Sequence, residues 1–296
     1  MDQAQNLRNI VKQHIENDKT ESSARVITVT SGKGGVGKTS VSLNLAVQFS
    51  RMGKKVIIFD ADFGLANIEV MVGAIPKYNL SDMLMRGKKL DEILMEGPEG
   101  IRYISGGSGI NSLEELSKDQ IIYMLHEFHV LEKMADIIII DTGAGISHTV
   151  MEFVASSNEV LLITTPEPTS ITDAYSLLKT LNRHEAFDKN NSQIKLITNQ
   201  VKDYEDGQVL YEKLDTVVSK FLDIKLDFLG IVPEDGCMHK SIIMQNPVSV
   251  SFPDADSSKS FLQIAEILMN KRDKYMDEKK GLSYIFMKYL KIRRGN

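Results

Sequence analysis

The sequence predicts an α/β fold: a mainly parallel, doubly wound sheet with helices on both faces. Three observations predict it. Residues 25–39 run from a β-branched stretch through a glycine-rich turn into a helical pattern that begins at Val36 or Gly37. Residues 135–141 form an aliphatic run with no polar alternation, the pattern of a strand buried on both faces. Further strand-like runs at 159–164, 194–199 and 226–232 alternate with helical patterns at about 170–184 and 208–222. Strands alternating with helices imply parallel pairing through right-handed crossovers.

The first unit is the most specific. Gly32, Gly37, Lys38 and Thr39 satisfy G-x-x-x-x-G-K-[ST], the phosphate-binding loop. Glycines at 32, 34, 35 and 37 let backbone N–H groups turn inward around an anion, with Val36 and Ser40 completing the turn into the helix. Lys38 is placed to reach the β- and γ-phosphates of ATP or ADP, and the Thr39 hydroxyl to ligate Mg²⁺. A second lysine, Lys33, follows the first glycine directly. The octad Gly32-Lys33-Gly34-Gly35-Val36-Gly37-Lys38-Thr39 resembles the deviant Walker A loop of the MinD/ParA class of ATPases. That resemblance implies slow ATP hydrolysis in a nucleotide-sandwich homodimer, with Lys33 of one subunit touching the other's phosphates.

The remaining elements follow in order. Residues 1–24 carry a thin apolar stripe (Ala4, Leu7, Ile10, Val11, Ile15) and then a polar linker at 20–24. So short a segment is marginal as a helix alone in water. Asp2-Gln3-Ala4-Gln5-Asn6-Leu7-Arg8 resembles the D-Q-A-x-x-L-R motif of the flagellar branch of the MinD/ParA class. There the segment binds and activates FlhF, a GTPase related to the signal-recognition particle. The resemblance makes Gln3, Leu7 and Arg8 partner contacts, with Gln3 offered to the partner's catalytic site.

A strand at 56–59 ends on Asp60 and Asp62, carboxylates at i and i+2 on the carboxyl edge of the sheet. Residues 60–67 resemble switch I of MinD-like proteins, which implies that Asp62 positions the attacking water and Asp60 supports the magnesium shell. Residues 76–109 are less regular; a short helix near 80–85 and a strand at 101–105 are expected, then a glycine-rich loop at 106–109. A long surface helix is expected over 113–134. Asp141, ending the 135–141 strand, matches the Walker B acid, which holds Mg²⁺ through water. Residues 142–145 match switch II, with Gly143 where many MinD-like proteins have proline, a departure that fits the flagellar branch. Asn199 and Pro233, at the ends of later strands, are adenine contacts by the resemblance alone.

After a charged hinge at 277–281, Leu282, Ile285, Phe286 and Tyr289 share one helical face, and Lys288 and Lys291 lie elsewhere. About 14 residues span only about 21 Å, too short for a bilayer. A basic amphipathic helix with aromatics suits an anionic membrane surface; the alternative is a helix docked on the body. The expected division is therefore a partner-activating segment and linker at 1–24, an ATPase domain at 25–275, and a hinge with a membrane-targeting helix at 276–296.

Composition narrows the class. The 296 residues are 42% hydrophobic and 25% charged, ordinary for a globular chain, with one cysteine, Cys237, read as a small buried residue. One cysteine excludes an intramolecular disulfide and argues against a cysteine-ligated cluster; with no signal-peptide pattern, a cytoplasmic location is expected. The histidines show no metal-site spacing. The net charge of −5 divides into +6 on residues 271–296 and −11 on the rest. An acidic body argues against a general nucleic-acid binder. The flagellar resemblance implies FlhF and basal-body (C-ring) components as partners, and attachment to the inner face of the cell membrane when ATP is bound. The alternatives are a cell-division or DNA-partition ATPase of the same class, or a metabolic P-loop ligase.

Overall fold

The computed structural model describes residues 24–63, 67–107, 117–270 and 281–292, and omits the side chains of 118–119 and 288–292. Gln3, Leu7 and Arg8, residues 64–66, and the side chains of Lys288, Tyr289 and Lys291 therefore lie outside the described residues.

The strands are β1 (Arg25–Thr30), β2 (Val56–Ala61), β3 (Met95–Glu96), β4 (Arg102–Ile104), β5 (Ile137–Thr142), β6 (Glu159–Thr164), β7 (Gln193–Val201) and β8 (Leu226–Pro233). They form one sheet in the order β3-β4-β2-β5-β1-β6-β7-β8. Every pair is parallel except the short β3–β4 edge. The register sets Asp60 of β2 directly beside Asp141 of β5, so two acids that are distant in sequence end neighbouring strands.

Alternation through the sheet divides the core. Ile27, Val29, Ile58 and Ile139 face one side, where helix α1 (Lys38–Arg51) supplies Val41, Leu45 and Phe49. Ile57, Phe59, Ile138 and Ile140 face the other. The connecting helices are α2 (Asn67–Val72), α3 (Leu80–Arg86), α4 (Leu90–Ile93), α5 (Lys118–Lys133), α6 (His148–Ser156), α7 (Pro168–Leu181) and α8 (Tyr204–Leu222). Then come α9 (Gly236–Ile243), α10 (Val248–Ser251), α11 (Asp256–Asn270) and α12 (Leu282–Ile292).

Several expectations need adjustment. Helix α5 starts at Lys118, where Ser117 caps it by accepting from the Gln120 N–H. One face is buried, with Met124 and Phe128 fully covered, while His126 and Val130 remain exposed on the other. Helix α8 begins at Tyr204 rather than 208, because Asp203 accepts from the Asp206 N–H at 2.8 Å. Cys237 is half-buried, not buried.

Helix α12 packs against α5 and α6. Leu282, Ile285 and Phe286 are fully buried. The Phe286 ring lies 4.4 Å from Phe128, 5.0 Å from Phe153 and 5.5 Å from Phe59. The face expected on a membrane thus forms part of the core in this conformation. Among the described residues no helix is long and apolar enough to cross a membrane.

Candidate functional site

The loop between β1 and α1 closes over the carboxyl edge of the sheet. Gly37 caps α1 with φ 93°, a left-handed conformation that glycine adopts without strain. Gly32 is required for a different reason: a Cβ there would come within 2.1 Å of the Asp173 backbone. The second turn of α7 therefore presses directly on the loop.

Beneath the loop Lys38 meets two buried acids, Asp60 and Asp141, with Asp62 close by. Lys38 is only 9% exposed. Burial lowers its pKa, against Asp141, Asp62 and Asp60, which favour the cation. Asp60 is fully buried, and its Oδ2 has no hydrogen-bond partner. Burial, then the neighbouring Asp141, hold its carboxyl well above the usual carboxylate range, while the Asp62 N–H, donating at 3.0 Å, opposes them. Asp141 is pushed up to about 6 by burial, against hydrogen bonds from the Thr39 and Ser42 side chains and the charge of Lys38. A buried, unpartnered carboxylate oxygen beside a second acid and the Thr39 hydroxyl fits a hard cation with oxygen ligands.

Asp62 stands at the rim, held by Asn67 Nδ2, which donates to Oδ2 at 3.1 Å. A Cβ on Gly143 would lie 3.6 Å from the Asp62 carboxyl carbon, so the second loop passes close by. That loop is tied to the first by Gly145 N–H donating to the Ser31 carbonyl at 2.9 Å. Gly34, Lys38, Thr39, Asp62, Asn199 and Pro233 share the lining of a ≈ 680 Å³ cavity. Asn199 donates from Nδ2 to the Val36 carbonyl at 2.7 Å, which ties β7 to the loop. Next to it Gln200 adopts φ 58°, at the irregularity in β7–β8 pairing between Asn199 and Val201.

Lys33 does not reach into this cradle. Its ammonium is paired with Glu167 and donates to Thr169 Oγ1 at 2.9 Å. Glu167 and Thr169, at the start of α7, escape sequence reasoning because they lie more than 130 residues away. Ser42 was legible in principle. It follows Thr39 by three positions, on the same helical face, and its hydroxyl donates to Asp141 Oδ1 at 2.9 Å, fixing that acid from behind.

A phosphate loop, paired acids on adjacent parallel strands and a second lysine held apart are now in place. Residues 27–248 match the family described as the CobQ/CobB/MinD/ParA nucleotide binding domain. The chain belongs to that family. Within it the chain is of the flagellar FleN/YlxH type, also called FlhG. It is 39% identical over 242 residues to the antiactivator FleN of Pseudomonas aeruginosa, covering 82% of this chain and 85% of the relative. It is 34% identical over 296 residues to the flagellum site-determining protein YlxH of Helicobacter pylori, covering 98% of both. Among solved structures, the septum site-determining protein MinD from Pyrococcus horikoshii, complexed with Mg-ADP, superposes with a TM-score of 0.64 at 26% identity. It covers 84% of this chain and 96% of that one.

The two raised carboxyls make a pH prediction for this MinD-type site. A carboxyl whose folded pKa is raised favours the fold while protonated and loses that contribution as pH rises toward its folded pKa. For Asp141 that window runs from about 4 to about 6. A cation binding the charged pair restores what is lost, so stabilisation by Mg²⁺–ADP should grow between pH 5 and pH 7. Melting temperatures with and without Mg²⁺–ADP across that range measure it. Asp141→Asn should flatten the dependence; a wild-type increment that does not change with pH would count against the arrangement.

Proposed function

We propose that the protein is a slow, dimerisation-dependent ATPase that regulates flagellar number and placement, alternating between a cytoplasmic monomer and an ATP-bound homodimer on the inner face of the cell membrane. The observation that carries the reading is the division of labour between two lysines. Lys38 is buried beside Asp60, Asp62 and Asp141, where it serves the subunit's own phosphates. Lys33 is one-third exposed and engaged by Glu167, free to act in trans if that pair exchanges. A surface ion pair is worth about 0–1 kcal/mol, so a partner's phosphates can outcompete the carboxylate.

Within each subunit, Thr39, Asp60 and Asp141 would hold Mg²⁺, directly or through water. That ion supplies charge neutralisation at the phosphate oxygens as the terminal phosphoryl group is transferred. Asp62, at the cavity rim, orients water for attack, and the backbone of residues 142–145 follows the γ-phosphate. Asn199 and Pro233 flank the adenine.

Lys33→Ala should leave nucleotide affinity of the monomer within about threefold, because Lys38 and the loop remain, but should remove ATP-dependent dimers. Light scattering with ATP and with ADP decides it, and normal ATP-driven dimerisation of the variant would refute the sandwich dimer.

The N-terminal motif extends the proposal to FlhF, with Gln3 entering its catalytic site and Leu7 and Arg8 supporting the contact. A peptide of residues 1–20 should then stimulate FlhF's GTPase without the ATPase body, and Gln3→Ala should reduce stimulation more than binding. No change in GTP turnover with the wild-type peptide would remove this part. Basal-body (C-ring) components complete the partner set.

For the membrane, Leu282, Ile285 and Phe286 cannot be in lipid while they fill the core. Attachment therefore requires α12 to leave its groove, with Tyr289, Lys288 and Lys291 joining the contact. Two released helices in one dimer raise avidity by roughly 10² or more over one. The same burial favours a second reading, in which α12 is a permanent part of the core.

A further inference from the structure

Glu132, near the end of α5, places a carboxylate inside the protein, with its side chain 5% exposed. Its Oε1 accepts from the Ser283 backbone N–H at 2.6 Å and from the Ser283 hydroxyl at 2.8 Å. Its Oε2 lies 3.7 Å from His129 Nδ1. A Cβ on Gly281 would come within 2.5 Å of the carboxylate, so the chain enters α12 directly across it.

The first N–H groups of a helix have no intrahelical acceptor. A side chain of the residue before the first turn usually satisfies one of them. Here that residue is Gly281, which has none, and the acceptor comes from a different helix instead. A charged acceptor is also favoured at the positive end of the helix dipole.

We infer that Glu132 is a latch: an N-cap supplied from the body that holds α12 docked and sets how readily the helix leaves. The apolar face of α12 gains nothing specific from its acceptor, since lipid or another groove would cover it equally well. The Ser283–Glu132 contact, by contrast, exists only in the docked state. On release, water replaces Ser283 around the carboxylate, so the latch opens without stranding a buried charge. The consequence for membranes rests on the reading given under Proposed function; the latch itself does not.

Hydrogen exchange of the full-length chain with ADP tests it. Hydrogen bonds to charged groups are worth enough that Glu132→Ala should speed exchange at amides 282–287 by about tenfold or more. Amides of β5 should be unchanged. Glu132→Gln should fall between, because its amide oxygen still accepts but carries no charge. Ser283→Ala, which keeps the backbone N–H, should have a smaller effect than Glu132→Ala. Unchanged exchange at 282–287 in Glu132→Ala overturns the latch. Should β5 also lose protection in that variant, Gly281→Ala replaces it, since it crowds the carboxylate without removing a buried group. It must speed exchange over 282–287 alone, and failure to do so overturns the latch. Sedimentation with phosphatidylglycerol–phosphatidylcholine vesicles in ADP separates the two ideas. Binding of Glu132→Ala without ATP supports both, whereas fast exchange with no binding even after ATP is added, when two released helices act in one dimer, keeps the latch and refutes the membrane role.

Discussion

Asp62→Ala is expected to bind ATP as the wild type does, to turn it over about 10²–10⁴-fold more slowly, and to accumulate as a dimer, the range a positioned acid–base group contributes. Binding is spared because Asp62 stands at the rim, oriented by Asn67, rather than beneath the loop with Lys38 and Asp141. Its charge also adds to the repulsion that raises the Asp60 and Asp141 carboxyls. Removing it relieves that pair of acids rather than weakening it. Phosphate release and molecular mass measured in ATP give both readouts. A variant that stays monomeric with wild-type turnover would overturn the role given to Asp62.

The second large effect concerns Phe286. Its ring lies within 5.5 Å of those of Phe59, Phe128 and Phe153, and Phe→Ala in such surroundings costs about 3–5 kcal/mol. Phe286→Ala should destabilise the ADP form by that amount. In an Asp62→Ala background, where ATP persists, the loss should shrink, because a released helix no longer contributes to the core. Urea unfolding in the two nucleotides measures the difference. Equal losses would make α12 a fixed part of the body. Phe286→Glu is a harsher and less selective change: an unpaired charge among three aromatic rings expels the helix or unfolds its groove. The groove also borders the segment that carries Asp62, since the Phe153 ring centroid lies 6.4 Å from that of Phe63, the neighbour of Asp62.

What the sequence made legible was local. The phosphate loop, the acids at 60, 62 and 141 and the buried strands each announce themselves within a dozen residues, through spacing, β-branching or glycine. The antiparallel edge β3 has only two residues and left no pattern. The partners of Lys33 and the hydroxyl behind Asp141 come from pairings that only the folded sheet creates. The C-terminal helix was ambiguous for a physical reason. An apolar stripe at helical spacing reads the same against lipid as against Phe59 and Phe128, and only the folded groove shows that those rings take it up. Gln200 shows the same limit, as nothing in its neighbours foretells a left-handed backbone at a break in strand pairing.

The contacts that close the nucleotide site bridge 99 residues from Ser42 to Asp141, 134 from Lys33 to Glu167 and 163 from Asn199 to Val36. Such separations make assembly late as well as slow, because loop closure must precede any reward from the contact. At about 5–20 residues per second, a ribosome releases the phosphate loop on the order of ten seconds before Asn199 exists. Through that interval the glycine loop lacks its far wall, and until β5 is made it lacks Asp141 beneath it as well. Nucleotide can therefore act as a ligand that selects finished molecules, not as a template for the growing chain.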